Sequence, residues 1–487
     1  MPHRLSKSRV MAGRQCRRRL WLEVNRPELR VHDAQARRRL AEGRRLNDLV
    51  HRTISDGVVI GPDVPLDTAL QRTATHLDRQ PEHPLFEATF SARGVLVRAD
   101  IFAKVGAGFQ LTEVKSSTRV KPGHLIDCAV QTWVINAAGY AVARTILAHI
   151  DTAFVYPGGG DYRGLLRHVD LSERVAELLP QVAGWADAGL ATMALSDEPS
   201  IEVGPQCTDP YPCPFRAHCT PPAPEYPVEL LPGGGRIVGE LLAEGVRDVR
   251  DIPAGRLQRP LHRRIHQATL SGAPYLGPAL GEALRALPYP RHYLDFESIQ
   301  FAIPVWAGTR PYEQLPFQWS CHVERRPGVL DHLEFLDTSG GSPLRACAES
   351  LVDALGSVGP ILTYSRFERD VINRLVARFP DLKDALQALT GRLVDLLPLV
   401  KAHYYHPAMK GSFSIKAVLP TVAPGLSYDA LGEVRDGIAA QLAYEALIDA
   451  QTPPAHRSVL AAQLREYCRL DTLAMVELVQ YFAAHQG

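Results

Sequence analysis

Residues 97–117 read VRADIFAKVGAGFQLTEVKSS, and this stretch decides how the first half of the chain is understood. Apolar and polar residues alternate over Val95–Val105 and again over Phe109–Lys115, the period of strands with one buried face. Asp100 falls on the first of these strands, and Glu113 and Lys115 fall on the second. Strand residues i and i+2 face the same side, so Glu113 and Lys115 project together. With Asp100 nearby they form two carboxylates and an ammonium. Two carboxylates bind Mg2+ or Mn2+ through hard oxygens. The lysine can hold a water or offset charge that develops on a phosphate.

Outward from this stretch the same pattern continues. Phe86–Phe90 reads as a strand, a helix is expected from about Pro122 to Tyr140 with Gln131 on it, and Thr145–Phe154 reads as another strand. Strand–strand–strand–helix–strand is an α/β core. The first 55 residues are helical in pattern, with Leu40, Leu46, Leu49 and Val50 on an apolar stripe. Asp100, then Glu113-x-Lys115, then a helix carrying Gln131 resembles the PD-(D/E)XK nucleases, specifically the RecB and AddB branch and the RecB-like CRISPR-associated nucleases. The resemblance implies a restriction-endonuclease-like fold, Asp100 and Glu113 as metal ligands, a catalytic Lys115, and Gln131 positioning the lysine region. It also implies a helical His as a further metal ligand, for which His51 is the candidate. His51 follows Gly43 by eight residues, whereas the family's His more often follows its Gly by four, and that position here is Asn47. An ordinary surface-helix residue is the other reading of His51. The Tyr that usually follows the family's Gln is replaced by Ile135.

Downstream, QCTDPYPCPFRAHC (206–219) spaces Cys207, Cys213 and Cys219 through a Pro-rich, helix-poor loop. Three thiolates so placed can wrap one metal centre, with a fourth ligand from elsewhere, and Cys16 in GRQCRRRLWLE is the candidate. Iron–sulfur members of the RecB-like group have one cysteine before the nuclease core and three after it, so the resemblance implies a 4Fe-4S cluster. Spacing alone equally permits a four-cysteine zinc site. Cys128, Cys321, Cys347 and Cys468 stand singly in apolar or helical surroundings and read as core thiols.

The second half carries a separate set of acids. RHYLDFESI (291–299) places Asp295 and Glu297 on one face of a strand. ILTYSRFERDVI (361–372) leaves a strand and enters a helix at Glu368, and REYCRLDTLAMV (465–476) sets Tyr467 and Asp471 one helical turn apart. These three motifs in order resemble the DnaQ-like (DEDDy) 3′–5′ exonucleases of RNase H-like fold. The resemblance implies two metals held by Asp295, Glu297, Glu368 and Asp471, with Tyr467 orienting the attacking water. Glu368 stands where the family usually has Asp. Asp370 and Asp395 are reserve candidates, and Asp395 reads better as a structural residue. Tyr404–Pro420 interleaves aromatics with Lys410 and Lys416, which suits base stacking with phosphate pairing or, equally, an ordered capping loop.

Bulk properties agree with a folded multidomain protein. At 487 residues two or three domains are expected, and 46% hydrophobic with 22% charged residues is a soluble, folded composition. No apolar run is long enough to span a membrane and none follows the basic N-terminus, so no membrane association and a cytoplasmic location are expected. Residues 1–50 hold fourteen Lys/Arg against five Asp/Glu in a chain of net charge +1. Arg17, Arg18 and Arg19 are therefore candidates for phosphate binding, or else line a solvated helix face. The expected domains are 1–222 (RecB-like, with the cysteines), 223–290 (a helical connector) and 291–487 (DnaQ-like). The expected function is hydrolysis of DNA, with single-stranded ends as the substrate and RNA an alternative at the second site. The other class that fits is a nucleic-acid-binding or scaffold protein in which one nuclease domain is inactive.

Overall fold

In a computed structural model the described residues are 5–31, 34–54, 56–61, 63–79, 82–428 and 431–485. The fold is mixed α/β, in two compact units: Met1–Pro221 with Phe301–Glu313, and Pro222–Gln300 with Gln314–Gly487. Among the described residues no helix is long and apolar enough to cross a membrane.

The first unit runs β1 (Leu5–Ser6), α1 (Lys7–Gln15), α2 (Arg17–Asn25), α3 (Ala34–Thr53), β2 (Val58–Val59), α4 (Leu66–Arg79), β3 (Leu85–Ala92), β4 (Val95–Val105), β5 (Gly108–Lys115), α5 (Pro122–Ala137), β6 (Val142–Ile150), β7 (Leu166–Asp170), α6 (Ser172–Ala176), α7 (Leu179–Met193) and α8 (Arg216–Cys219). Its sheet has the order β2-β3-β4-β5-β6-β7, with β1 parallel to β4. Strands β3, β4 and β5 form an antiparallel meander, and β5 then pairs with β6 in parallel after the α5 crossover. The β3–β4 turn is tight because Arg93 and Gly94 both take positive φ, 52° and 76°, matching the twist of a two-residue hairpin. Helix α5 starts on Pro122, which needs no amide partner there, and stops before the expected Tyr140 because Gly139 turns to φ 95°. It buries Cys128, Val130, Val134 and Ile135 in a core with Phe90, Phe102 and Leu111. Strand β6 ends at Ile150, short of the expected Phe154, because the Asp151 carboxylate accepts from the Ala153 amide at 2.9 Å and bends the chain. On α3, Leu46, Leu49 and Val50 are buried, while Leu40 stays 65% exposed.

Residues 301–313 also belong to this unit. Ala302, with Ile303 and Tyr312 packed around it, joins a core of Leu46, Leu49, Val50, Val114, Ala148 and Ile150. The Tyr312 hydroxyl donates to the Ser116 carbonyl, Tyr162 donates to Pro304 O at 3.0 Å, and the Tyr156 backbone donates to Thr309 O and accepts from the Gly308 amide.

The second unit runs α9 (Gly235–Ala243), α10 (Pro260–Ser271), β8 (Tyr275–Leu276), α11 (Ala279–Arg285), β9 (Arg291–Ile299), β10 (Leu315–Arg326), β11 (Val329–Leu336), α12 (Leu344–Leu355), β12 (Ile361–Thr363), α13 (Phe367–Arg378), α14 (Lys383–Gly391), β13 (Leu393–Asp395), α15 (Leu396–His403), β14 (Tyr404–Tyr405), α16 (Ile415–Val422), α17 (Gly437–Ile448) and α18 (Pro454–Ala484). The sheet order is β11-β10-β9-β12-β13, with β9–β10–β11 antiparallel and β12 and β13 parallel to β9. The connector region shares this unit's core: Leu241, Ile265, Leu280 and Leu284 cluster with Met475, Val479 and Phe482 of α18. Cys128, Cys321, Cys347 and Cys468 are all buried.

Candidate functional site

Two clusters of acids form, one in each unit. In the second unit, alternation along β9 sends Leu294 and Phe296 into the core and leaves Asp295 and Glu297 together on the opposite face. Helix α18 packs on β9 and β10 and brings Asp471 to that face. Ligand oxygens of Asp295, Glu297 and Asp471 lie within 4.8 Å of one another, and this is the one such group of three or more among the described residues. Glu368 is 3% exposed in the first turn of α13, where Ser365 Oγ donates to it at 3.3 Å. It lies outside the 4.8 Å group.

Burial, joined by like charges around Asp295 and Glu297, raises the proton affinity of these acids. Burial, then Asp471 and Glu368, hold Asp295 well above the usual carboxylate range, and burial with Asp471 does the same for Glu297. Burial pushes Glu368 up to about 7 and Asp471 up to about 6. Three neighbours join this cluster without having been expected there. The Tyr428 hydroxyl donates to Asp471 Oδ1 at 2.5 Å. The buried Cys468 thiol lies 3.8 Å from Asp295 Oδ2. Lys416, expected to meet phosphate, donates to the Tyr467 hydroxyl at 2.9 Å. No sequence spacing links Tyr428 to Asp471, whereas Cys468 lies inside the motif and reads in the sequence only as a core thiol.

Asp395 caps α15 by accepting from the Leu397 amide at 2.9 Å, the structural role expected of it. In the Tyr404–Pro420 stretch, Tyr404, Tyr405 and Phe413 are core residues, 1%, 0% and 5% exposed, so they offer no stacking surface. Lys410 donates to Glu225 O at 2.7 Å and lies over the Tyr226 ring at 3.7 Å, so it pins the loop to the connector region.

In the first unit β4, β5 and α5 bring Asp100, Glu113, Lys115 and Gln131 together. Gln131 Nε2 donates to Glu113 Oε2 at 2.6 Å, Lys115 pairs with Glu113, and Asp100 Oδ2 accepts the Val114 amide at 2.7 Å. Asp127 and Lys7 complete the cluster and are not among the sequence candidates. Asp127 pairs with Lys115 at 2.8 Å and with Lys7 at 2.9 Å, and Lys7 also reaches Glu113 at 3.0 Å. Asp127 sits one helical turn before Gln131, a spacing that could have revealed it; Lys7, from the start of α1, had no such signal. Burial and the Glu113 charge push Asp100 up to about 7. Burial opposes the Lys115 charge, but Asp127 and Glu113 overcome it and hold that ammonium well above its usual range. Asn47 Nδ2 is 3.5 Å from Asp100 Oδ1. His51, one turn further along α3, instead has its ring 4.4 Å from that of Phe86.

In the cysteine region, burial and then neighbouring groups set the Cys213 and Cys219 thiols. Cys213 is pushed up by burial and by the Cys16 and Cys207 charges, and Cys219 by burial, Cys213 and Cys16, so all four sit within electrostatic reach. Cys213 N donates to Cys207 O at 2.8 Å, and Gln15 Nε2 donates to Gln206 O at 2.7 Å and Tyr211 O at 2.6 Å. The adjacent arginines have internal partners: Arg17 with Thr192 at 3.1 Å, Arg18 with Glu198 at 2.5 Å, and Arg19 with Glu23 at 3.1 Å. Phosphate binding by them would first have to break these bonds.

Residues 292–414 match a family described as a domain of unknown function (DUF2779). That span includes Asp295, Glu297 and Glu368 and ends before Lys416, Tyr467 and Asp471. No curated protein matches the sequence. A solved structure titled "Crystal structure of SSO0001" is similar at 15% identity, over 37% of this chain and 80% of that one; its TM-score of 0.16 is too low to carry a fold assignment.

Proposed function

We propose that this chain is a metal-dependent nuclease, with a DnaQ-like 3′–5′ exonuclease site in the second unit and a RecB-like site in the first. The observation that carries the reading is the convergence of Asp295, Glu297 and Asp471 within 4.8 Å, with Tyr467 one helical turn from Asp471. Acids this close, holding protons against their own repulsion, are a donor set for a hard divalent cation, so these residues fit Mg2+ or Mn2+. They would hold one ion, and Asp295 with Glu368 is the candidate pair for a second. Such ions would neutralise phosphate charge and make a water easier to deprotonate.

The chain's own residues do the orienting. Tyr428 fixes the Asp471 carboxylate, Cys468 steadies Asp295, and Tyr467 orients the water. A β9–β10–β11 meander continued by parallel β12 and β13, with the first acids on β9, supports the RNase H-like reading. The β3–β4–β5 meander, α5 and parallel β6 support the PD-(D/E)XK reading. There Asp100 and Glu113 would hold a cation, with Lys115 holding a water. The resemblance favours a 4Fe-4S cluster held by Cys16, Cys207, Cys213 and Cys219, with a four-cysteine zinc site the alternative.

The test is 5′-labelled single-stranded DNA with Mn2+, and RNA in parallel. The expected product is a ladder of 3′-shortened strands that Asp295→Ala abolishes and Lys115→Ala leaves intact. A ladder that survives Asp295→Ala overturns the assignment. One observation favours a scaffold role for the first unit, because Lys7 and Lys115 already neutralise Glu113 and Asp127. That role predicts that all Mn2+-dependent cleavage disappears with Asp295→Ala.

A further inference from the structure

Lys416 makes contacts that differ from those of a phosphate-binding lysine. It donates to the Tyr467 hydroxyl at 2.9 Å and to the Arg435 carbonyl at 2.9 Å, which occupies two of its three N–H donors. Its ammonium also lies over two rings, 4.6 Å from the Tyr467 centroid and 4.9 Å from that of Tyr428. Both tyrosines lie beside Asp471: Tyr428 donates to it at 2.5 Å, and Tyr467 sits one turn away from it on α18. A lysine poised for phosphate keeps N–H donors available for it. This one is seated between two aromatic faces and a carbonyl.

Resting on the exonuclease reading above, we propose that Lys416 is a positioning residue for Tyr467, selecting which side of the phenolic oxygen faces the attacking water. A phenol has one proton to give and accepts through its oxygen lone pairs. Lys416 takes one accepting position, and in the proposed arrangement Asp471, one turn away on α18, takes the proton. What remains is a single accepting direction, into which a water can point one of its own hydrogens. Without Lys416 the hydroxyl can rotate or accept from bulk water, and that direction is no longer unique. The lysine touches neither substrate nor reacting atoms in this scheme; it acts through the tyrosine.

The test compares Lys416→Met, Lys416→Arg, Tyr467→Phe and the Lys416→Met/Tyr467→Phe double variant in the full chain, with a fluorescent single-stranded oligonucleotide. In chelator, oligonucleotide Kd for Lys416→Met should stay within about twofold of wild type, because no phosphate contact is lost. With Mn2+, kcat for 3′ trimming should fall roughly tenfold to a hundredfold at nearly constant KM, the cost of a misplaced catalytic group. Lys416→Arg, which keeps a charged donor, should recover part of that loss. In the Tyr467→Phe background, Lys416→Met should cost little more, because both act through one hydroxyl. A tenfold or larger rise in the metal-free Kd overturns the proposal, and so does an equal kcat loss with or without the Tyr467 hydroxyl. If Lys416→Met does not fold, Lys416→Arg carries the same comparison across the two Tyr467 backgrounds. A wild-type chain that trims nothing overturns the exonuclease reading itself, while the metal-free Kd still separates positioning from phosphate contact.

Discussion

Asp295, Glu297, Glu368 and Asp471 are gathered against their own repulsion, and that has a measurable thermal signature. Each binds its proton more tightly folded than unfolded: Asp471 moves from 3.8 to about 6 and Glu368 from 4.5 to about 7, mainly through burial. Between those limits the folded chain carries the extra protons, so these groups favour folding most at low pH and progressively less as pH rises toward 7. Metal-free wild type should therefore lose melting temperature from pH 5 to pH 8 more steeply than Asp295→Asn. At pH 8 the asparagine variant should melt higher than wild type, and Mn2+ should raise wild type but not the variant. An Asp295→Asn protein that melts lower at pH 8 would remove the argument. This cluster was legible in the sequence because strand alternation pairs Asp295 with Glu297 and a helical turn pairs Tyr467 with Asp471. Tyr428 was not legible, because a loop brings it in from outside every motif. Arg17, Arg18 and Arg19 show the opposite difficulty. Their charge is plain in the sequence, but the Thr192, Glu198 and Glu23 that engage them are visible only in the fold.

At the scale of elements, α5 organises the first site. Its buried face packs into the core through Val130 and Val134, while Asp127 and Gln131, one turn apart, face β5. Asp127 answers two ammonium groups, Lys7 and Lys115, whose side chains are about a quarter exposed, 23% and 27%. Asp127→Ala leaves both cations facing each other across Glu113 and should cost roughly 3 kcal/mol of stability, at the low end for breaking a buried ion pair because the lysines retain some solvent. Urea unfolding of the full chain checks this in the first unit's transition. A loss below about 1 kcal/mol, the range of exposed pairs, would mean the pairs are effectively solvated. The strands and α5 could be expected from periodicity to within a few residues. Their ends were decided by features periodicity does not report, namely the φ of Gly139 and the carboxylate turn at Asp151. Lys7 was hidden for a related reason: it begins α1, more than a hundred residues before the Glu113 it meets.

The whole molecule is organised differently from a string of three domains. The connector helices α9, α10 and α11 lie in the second unit's core, and residues 301–313 lie in the first unit's. A fragment ending at residue 222, at the Pro-rich break where the sequence invites a cut, lacks Ala302, Ile303 and Tyr312. It should lose on the order of 2–4 kcal/mol of stability through the exposed faces of Leu46, Leu49, Val50 and Val114. Adding a synthetic 301–313 peptide should raise its melting temperature; a fragment indifferent to the peptide would show that the segment is only laid on the surface. The proposed cysteine cluster would act over a comparable distance in sequence, joining residue 16 to residues 207–219. Anaerobically purified protein should be brown, and Cys213→Ala should bleach it and lower the first unit's melting temperature. Colourless protein holding one zinc per chain would replace the iron assignment and keep the four-cysteine site.

The excursion through 301–313 also bears on inheritance. Recombination at a single junction near residue 222 would pass on a first unit with part of its core left in the other parent's gene. A viable exchange would need three breakpoints, or a donor whose β9–β10 loop already fits the recipient. The two units should therefore travel through descent as a matched pair, and changes at Tyr312 should be answered around Ser116 in the same lineage.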